Sequence, residues 1–81
     1  MGEVAVELPQ WGQAMADARL IAWLVEPGAL VAADEPICLV ETDKVNAEIV
    51  APVAGVLGAA LVPPDAVVAV GTVLTTIATD G

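Results

Sequence analysis

Residues 37–50 read Ile-Cys-Leu-Val-Glu-Thr-Asp-Lys-Val-Asn-Ala-Glu-Ile-Val, and the fold prediction starts here. Two apolar runs, Ile37–Val40 and Val45–Val50, flank a polar segment that ends in Thr-Asp-Lys. Aspartate is favoured in tight turns because its carboxylate accepts hydrogen bonds from nearby backbone amides. The pattern therefore predicts a β-hairpin with Lys44 at its tip.

Short strands separated by turns are predicted on both sides of this hairpin. Val4, Val6 and Leu8 alternate with other residues at the period of two that is typical of a strand with one buried face. Turn residues recur about every 8–12 residues, a spacing typical of all-β sandwiches and barrels. The six prolines and seven glycines leave few windows for helix. Further strands are predicted within Ala18–Val25, Gly55–Val62 and Thr72–Ala78.

The chain contains an internal repeat. A shift of 37 residues lays Ala18–Thr42 over Gly55–Thr79, and nine of those 25 positions are then identical, including the turn residue pair Pro27/Pro64. We interpret the repeat as two similar half-domains related by a pseudo-two-fold axis. The alternative is coincidence in a sequence rich in Ala and Val.

Composition excludes several classes of function. The 81 residues make one small domain, and eleven acidic residues against two basic ones give a formal charge of −9, which excludes binding to a nucleic-acid backbone. The sequence has no His, so a Ser-His or Cys-His nucleophile cannot be built. Its single cysteine, Cys38, can form neither an internal disulfide nor a thiolate zinc cage, and is expected to be a small buried apolar residue. We predict no catalytic residues and no metal site.

No membrane-spanning or targeting segment is predicted. The longest uncharged stretch, Ile49–Pro64, is interrupted by Pro and Gly, whereas a spanning helix needs about 20 apolar residues. The first residues lack the basic region and apolar core of a signal peptide. We expect a soluble, cytoplasmic domain with no membrane partner.

Lys44 is the only lysine of the chain, and it lies at the midpoint of the repeat. A lysine at a hairpin tip is accessible to a modifying enzyme, and its amine becomes a nucleophile once it is deprotonated. The plainer interpretation is an exposed turn lysine without a role. Its retention in so acidic a chain favours a function.

The segment Glu41-Thr42-Asp43-Lys44-Val45 resembles the lipoylation motif of the lipoyl domains of 2-oxo acid dehydrogenase complexes, in the biotinyl/lipoyl attachment family. Gly28 lies 16 residues before Lys44 and Gly55 lies 11 residues after it, as is characteristic of that family. The resemblance runs from about Val4 to Ile77 and includes the segments Trp23–Val25 and Ala51–Val56.

This resemblance implies a flattened β-barrel of two four-stranded antiparallel sheets, with a monomeric lipoyl domain over residues 1–79 and the start of a linker at 80–81. It implies that Lys44 carries lipoic acid in amide linkage. The hairpin residues expected to serve in recognition are Glu41, Thr42, Asp43, Val45 and Glu48. A loop expected to contact a partner contains Trp11, Gln13 and Met15, and structural turns are expected at Gly28 and Gly55.

The partners follow from the same resemblance. A non-catalytic carrier domain, part of a dihydrolipoamide acyltransferase chain, would pass acyl groups and reducing equivalents between three enzymes. These are a thiamine-diphosphate-dependent 2-oxo acid dehydrogenase component, the acyltransferase core and dihydrolipoyl dehydrogenase. A lipoate ligase or lipoyltransferase would attach the lipoic acid.

The match is loose at two places. Asp17-Ala18 stands where family members commonly have Glu-Gly, and Pro64-Asp65-Ala66 replaces a usual Gly-Asp, so we expect that second turn to be built differently. Two alternatives stay open. One is a biotin carboxyl carrier-type domain, which has the same architecture. Domains of that type resemble each other in having Met on both sides of the lysine, whereas this chain has Asp43 and Val45 there. An unmodified lipoyl-like adaptor would need no lysine.

Overall fold

The computed structural model describes residues 2–10, 16–42 and 45–79, and all regular secondary structure within them is β-strand. The strands are β1 (Gly2–Glu7), β2 (Asp17–Trp23), β3 (Leu30–Val31), β4 (Pro36–Glu41), β5 (Asn46–Val50), β6 (Gly55–Leu57), β7 (Val67–Ala69) and β8 (Val73–Thr79). Within this described part of the chain, no helix has the length and apolar character needed to cross a membrane.

The strands form two four-stranded sheets with the orders β1-β8-β6-β3 and β5-β4-β2-β7, and every pairing is antiparallel. The molecule is flattened, with principal extents of 36, 22 and 17 Å. The predicted fold class, a flattened barrel of two antiparallel sheets, is confirmed.

The core between the sheets consists of small and medium aliphatic side chains, as expected for a chain without Phe or Tyr. Along β1 and the residue after it the predicted alternation is confirmed, because Val6 and Leu8 are buried, Val4 is half-buried and Glu7 is exposed. Trp23 is half-buried at the core edge, and its indole N–H donates to the Val62 carbonyl oxygen at 2.9 Å. The fully buried side chains with the largest volumes are Leu8, Leu20, Ile37, Leu74, Ile77, Val40, Thr75 and Cys38.

The internal repeat is present in the backbone hydrogen bonds. The Leu20 amide donates to the Ala66 carbonyl oxygen at 2.9 Å, and the equivalent Leu57 amide donates to the Ala29 carbonyl oxygen at 2.9 Å. The two sheet orders are also related by the exchange of β1 with β5, β8 with β4, β6 with β2 and β3 with β7. The interpretation as two similar half-domains is therefore confirmed.

The turn at Pro64-Asp65-Ala66 corrects one expectation. Asp65 adopts φ 73°, in the left-handed region, and Gly28 at the equivalent position of the other half adopts φ 91°. The amides of both residues donate hydrogen bonds of 2.7 Å to equivalent carbonyl oxygens across the sheet. The expectation that this turn would be built differently is wrong, because the short polar side chain of Asp tolerates the left-handed conformation.

Gly55 also differs from its prediction. It lies not in a turn but at the first position of strand β6, where it pairs with Val31 of β3; the next residues of β6 pair with β8. A Cβ atom at Gly55 would collide with the Ala78 carbonyl oxygen and would lie 2.7 Å from the Ile77 Cγ2 atom. Glycine is needed here because the backbones of β6 and β8 approach closely, whereas the predicted turn at Gly28 is confirmed.

The hairpin formed by β4 and β5 and the terminal pair Gly2–Thr79 lie at opposite ends of the molecule. Strand β2 begins beside the hairpin, where the Ala16 carbonyl oxygen accepts a hydrogen bond from the Val70 amide at 3.0 Å. The next amide, that of Gly71, donates to the Leu8 carbonyl oxygen at 3.0 Å, so the last residues of β1 lie at this end too. Gly2 precedes Leu8 along an extended strand, which advances about 3.3 Å per residue, so Gly2 lies about 20 Å from this end of the molecule.

Candidate functional site

The hairpin predicted around the lysine is confirmed for its two strands. Strands β4 and β5 pair antiparallel, and Glu41–Asn46 is the last pair of the ladder. Beyond it, the Thr42 amide donates to the Val45 carbonyl oxygen at 2.9 Å. Asp43 and Lys44 lie between Thr42 and Val45 in the sequence and are outside the described residues.

The Thr42 hydroxyl reinforces this connection. Its oxygen, Oγ1, donates to the Val45 carbonyl oxygen at 2.9 Å and accepts a hydrogen bond from the Val45 amide at 3.3 Å. A hydroxyl has one proton to donate and lone pairs that accept, so one side chain serves both backbone groups of Val45. The last described residues of the hairpin are thus joined by three hydrogen bonds.

An ion pair lies on the outer face of the sheet next to the hairpin. Arg19 in β2 is paired across the ladder with Glu41, and its Nη2 atom lies 2.7 Å from Oε1 of Glu41. About half of each side chain is exposed. Glu41 was predicted as a recognition residue from its sequence position, but its carboxylate is already engaged. Arg19 was not predicted, although a single arginine among eleven acidic residues was a usable indication.

The other predicted recognition residues divide into two groups. Val45 and Glu48 are exposed on the hairpin, and Glu48 pairs with Leu39 on the adjacent strand. The structure therefore places Glu41, Thr42, Val45 and Glu48 on one hairpin. The predicted partner-loop residues Trp11, Gln13 and Met15 lie outside the described residues, as do Asp43 and Lys44.

Two observations describe the titratable side chains around the site. Among residues 2–10, 16–42 and 45–79, no group of three or more His, Cys, Asp or Glu side chains could hold a metal ion. Cys38 is buried as expected, and burial raises the pKa of its thiol to about 12. It therefore remains an uncharged thiol near neutral pH. Because only the thiolate is a good nucleophile, Cys38 is unreactive there. What the site presents is a hairpin whose strands contribute to the core while Val45, Asn46 and Glu48 beside the turn are exposed.

The sequence family is decided by a match over nearly the whole chain. The family described as Biotin-requiring enzyme, which covers biotin and lipoyl attachment, matches residues 4–77. The chain belongs to this family.

Curated relatives of this attachment domain are acyltransferases. The dihydrolipoyllysine-residue acetyltransferase component of the pyruvate dehydrogenase complex from Mycobacterium tuberculosis is 44% identical over 66 residues, which cover 82% of this chain and 12% of the relative. The dihydrolipoyllysine-residue succinyltransferase component of the 2-oxoglutarate dehydrogenase complex from Cupriavidus necator is 46% identical over 57 residues, which cover 70% of this chain and 14% of the relative. The chain thus spans about an eighth of the length of these relatives.

A solved structure narrows the family to its lipoyl branch. The solution structure of the lipoyl domain of the 2-oxoglutarate dehydrogenase complex from Azotobacter vinelandii matches with a TM-score of 0.74 and 29% identity, covering 95% of this chain and all of that one. The predicted lipoyl domain is confirmed, and the biotin-type alternative has support only at the level of the broader family. A lipoyl domain is a non-catalytic carrier module that holds lipoic acid covalently on a lysine, which is the cofactor predicted from the sequence.

Proposed function

We propose that Lys44 is the attachment site of lipoic acid and that the domain is the carrier of an acyltransferase chain in a 2-oxo acid dehydrogenase complex. One observation carries this proposal. The only lysine of the sequence falls between Thr42 and Val45, the hydrogen-bonded residues that close the exposed β4–β5 hairpin of a lipoyl domain.

The residues present fit the proposed group. Amide attachment needs one accessible amine on a segment that an enzyme can reach, and of the described residues next to Lys44, Thr42 is half-buried and Val45 and Asn46 are exposed. When bound, lipoic acid supplies a dithiolane that accepts an acyl group and two electrons together and can be reoxidised. No side chain of the described residues is needed for that chemistry.

The contribution of this chain is mechanical. The two strands of the hairpin belong to a four-stranded sheet, so the described residues on either side of Lys44 are supported by that sheet. A tethered group is present at a high effective concentration at every active site that the tether can reach. The proposed partners are therefore the three enzymes of the complex: the thiamine-diphosphate-dependent dehydrogenase component, the acyltransferase core and dihydrolipoyl dehydrogenase.

Charge supports the same proposal. The chain carries a formal charge of −9, and Glu48 is exposed on the hairpin. Acidic surfaces accelerate association with positively charged partners by steering their diffusional encounter. We propose that such partners are contacted by Glu48 and Val45 of the hairpin and by the partner-loop residues Trp11, Gln13 and Met15. Glu41 would contact them as part of its ion pair with Arg19.

The decisive experiment is modification followed by intact mass. The purified chain is incubated with a lipoate ligase, lipoate and ATP, and in parallel with a biotin ligase, biotin and ATP. We expect one lipoyl adduct, mapped to Lys44 by peptide fragmentation, and no biotinyl adduct.

Lys44→Arg is the matched control, because it keeps the positive charge but offers no acylable amine. This variant should fold and acquire no lipoyl group. A lipoyl adduct on it would show that the attachment site lies elsewhere. A folded wild-type chain that neither ligase modifies would instead support the unmodified adaptor.

A further inference from the structure

We propose that the Thr42 hydroxyl is a positioning group for the modification of Lys44. By hydrogen-bonding both backbone groups of Val45, it fixes residues 42 and 45, which flank the segment that the modifying enzyme must bind. This inference rests on the proposed function of Lys44.

The hydrogen bonds at this point differ from those of an ordinary hairpin end. In an antiparallel hydrogen-bonded pair, each residue donates its amide to the carbonyl oxygen of the other. Here the Thr42 amide donates to the Val45 carbonyl oxygen at 2.9 Å, but the Val45 amide donates to Thr42 Oγ1 at 3.3 Å. The hydroxyl also donates to the Val45 carbonyl oxygen at 2.9 Å, so it is integrated into the closing pair.

The other half of the molecule provides an internal comparison. Thr79 is the residue equivalent to Thr42 in the repeat, and it pairs with Gly2 at the end of strands β8 and β1. Its hydroxyl donates to the Gly2 carbonyl oxygen at 3.4 Å. Among the described residues, the hydroxyl of Thr42 therefore makes two hydrogen bonds, of 2.9 and 3.3 Å, where its counterpart at the opposite end makes one of 3.4 Å.

The expected consequence is preorganisation. An enzyme that binds a loosely held segment must order it on binding, and this ordering weakens the complex. Thr42 holds residues 42 and 45 in one arrangement before the enzyme arrives. Loss of the hydroxyl should therefore raise the KM of lipoate attachment while leaving kcat nearly unchanged, because the hydroxyl does not contact the reacting atoms in this role.

The test measures lipoate ligase kinetics on four folded proteins: wild type, Thr42→Val, Thr42→Ser and Thr79→Val. Valine has nearly the shape of threonine but lacks the hydroxyl, and serine retains it. We expect Thr42→Val to raise KM by about fivefold or more, as loss of the hydrogen bonds of one hydroxyl would do. Thr42→Ser and Thr79→Val should stay within about twofold of wild type.

Two outcomes would overturn the proposal. Wild-type KM in Thr42→Val would show that the hydroxyl does not prepare the hairpin, and an equal KM increase in Thr79→Val would show a general loss of stability. If Thr42→Val does not fold, amide hydrogen exchange of the wild type decides. Slow exchange of the Val45 amide supports the proposal, and exchange at the rate of an unstructured peptide contradicts it.

Failure of the proposed function itself gives a different result. In that case the wild-type chain acquires no lipoyl group, whatever the variants do. A modified wild type with unaffected Thr42→Val leaves the carrier function intact and removes only the positioning role.

Discussion

Cys38 and Thr75 are equivalent residues in the two halves of the chain, and both are fully buried. Each follows a residue that the strand ladder skips, Ile37 in β4 and Leu74 in β8, and such a bulge turns two successive side chains toward the same side. The Thr75 hydroxyl satisfies its polar atom by donating to the Ala59 carbonyl oxygen at 2.8 Å. Cys38 remains a free thiol in the core.

Burial of Cys38 should make the domain less stable in alkali. The pKa of its thiol rises from 9.0 to about 12 on folding, so the unfolded chain loses this proton at a lower pH than the folded chain does. The contribution of this thiol is therefore fully present below about pH 9 and is lost as the pH rises towards about 12. In this window the free energy of unfolding should fall by up to about 1.4 kcal/mol per pH unit.

Urea denaturation in the presence of a reductant, at several values between neutral pH and about pH 11, checks this expectation. The control is Cys38→Ala, which should be less stable at neutral pH because it leaves a cavity, but should lose less stability in alkali. An equally steep decline in Cys38→Ala would assign the pH dependence to other groups.

The turns of the two halves have glycine and aspartate at exchanged positions. Gly28 and Asp65 are equivalent, as are Asp34 and Gly71, and all four adopt a positive φ between 68° and 91°. Each half therefore contains one glycine and one aspartate at its two left-handed positions. The fold requires the backbone conformation at these places rather than a particular residue.

Gly28 should accordingly tolerate Asp better than Val. A Cβ atom built at Gly28 meets no atom within 4 Å, so backbone conformation alone sets the penalty. We expect Gly28→Asp to lower the free energy of unfolding by about 1 kcal/mol and Gly28→Val by about 2 kcal/mol or more, since β-branched residues are disfavoured at positive φ. Chemical denaturation of both variants measures the difference, and equal losses would contradict the argument.

The sequence predicted correctly those elements that are determined by residues close to one another in the chain. The β4–β5 hairpin and the buried face of β1 follow from apolar alternation and turn residues, and both are confirmed. Strand β6 is shorter than the predicted Gly55–Val62 and ends at Leu57. A Cβ atom at the next residue, Gly58, would lie 2.6 Å from Oγ1 of Thr76, a contact that depends on the distant strand β8.

The same distinction applies to the site. The hairpin and its exposed Val45 and Glu48 could be predicted, because their positions depend on alternation around a turn. The ion pair between Arg19 and Glu41 could not, because these residues are 22 positions apart and meet only through the register of β2 against β4. That register includes a bulge between Leu20 and Ala22, which alternation alone does not reveal.

Acidic charge is the dominant electrostatic property of this domain. Eleven acidic and two basic residues give a formal charge of −9 on a domain of 81 residues. Such an excess of one sign destabilises a compact state through self-repulsion, and dissolved salt screens that repulsion. The Arg19–Glu41 pair opposes this trend only weakly, because an exposed ion pair contributes at most about 1 kcal/mol.

Sodium chloride should therefore stabilise the domain. We expect the unfolding temperature to rise by several degrees between about 0.01 M and about 0.5 M salt, since about 1 kcal/mol corresponds to about 4–8 °C for a domain of this size. Differential scanning calorimetry measures the change. Arg19→Gln removes one of the two basic residues and should make the salt dependence steeper; a decrease of the unfolding temperature with salt would contradict the expectation.

The equivalence of Thr42–Val45 and Thr79–Gly2 has a topological consequence. The two similar halves of the chain meet at two places. At one they are connected by the β4–β5 hairpin, and at the other Gly2 and Thr79 are paired neighbours on adjacent strands. A circular permutant that joins residues 79 and 2 and opens the chain between 42 and 45 would retain both sheets with their strand orders. In such a molecule the 79–2 junction would be the closed connection and the 42–45 junction would be open. A lysine introduced into the new connection would then correspond, by the repeat, to Lys44 of the native chain.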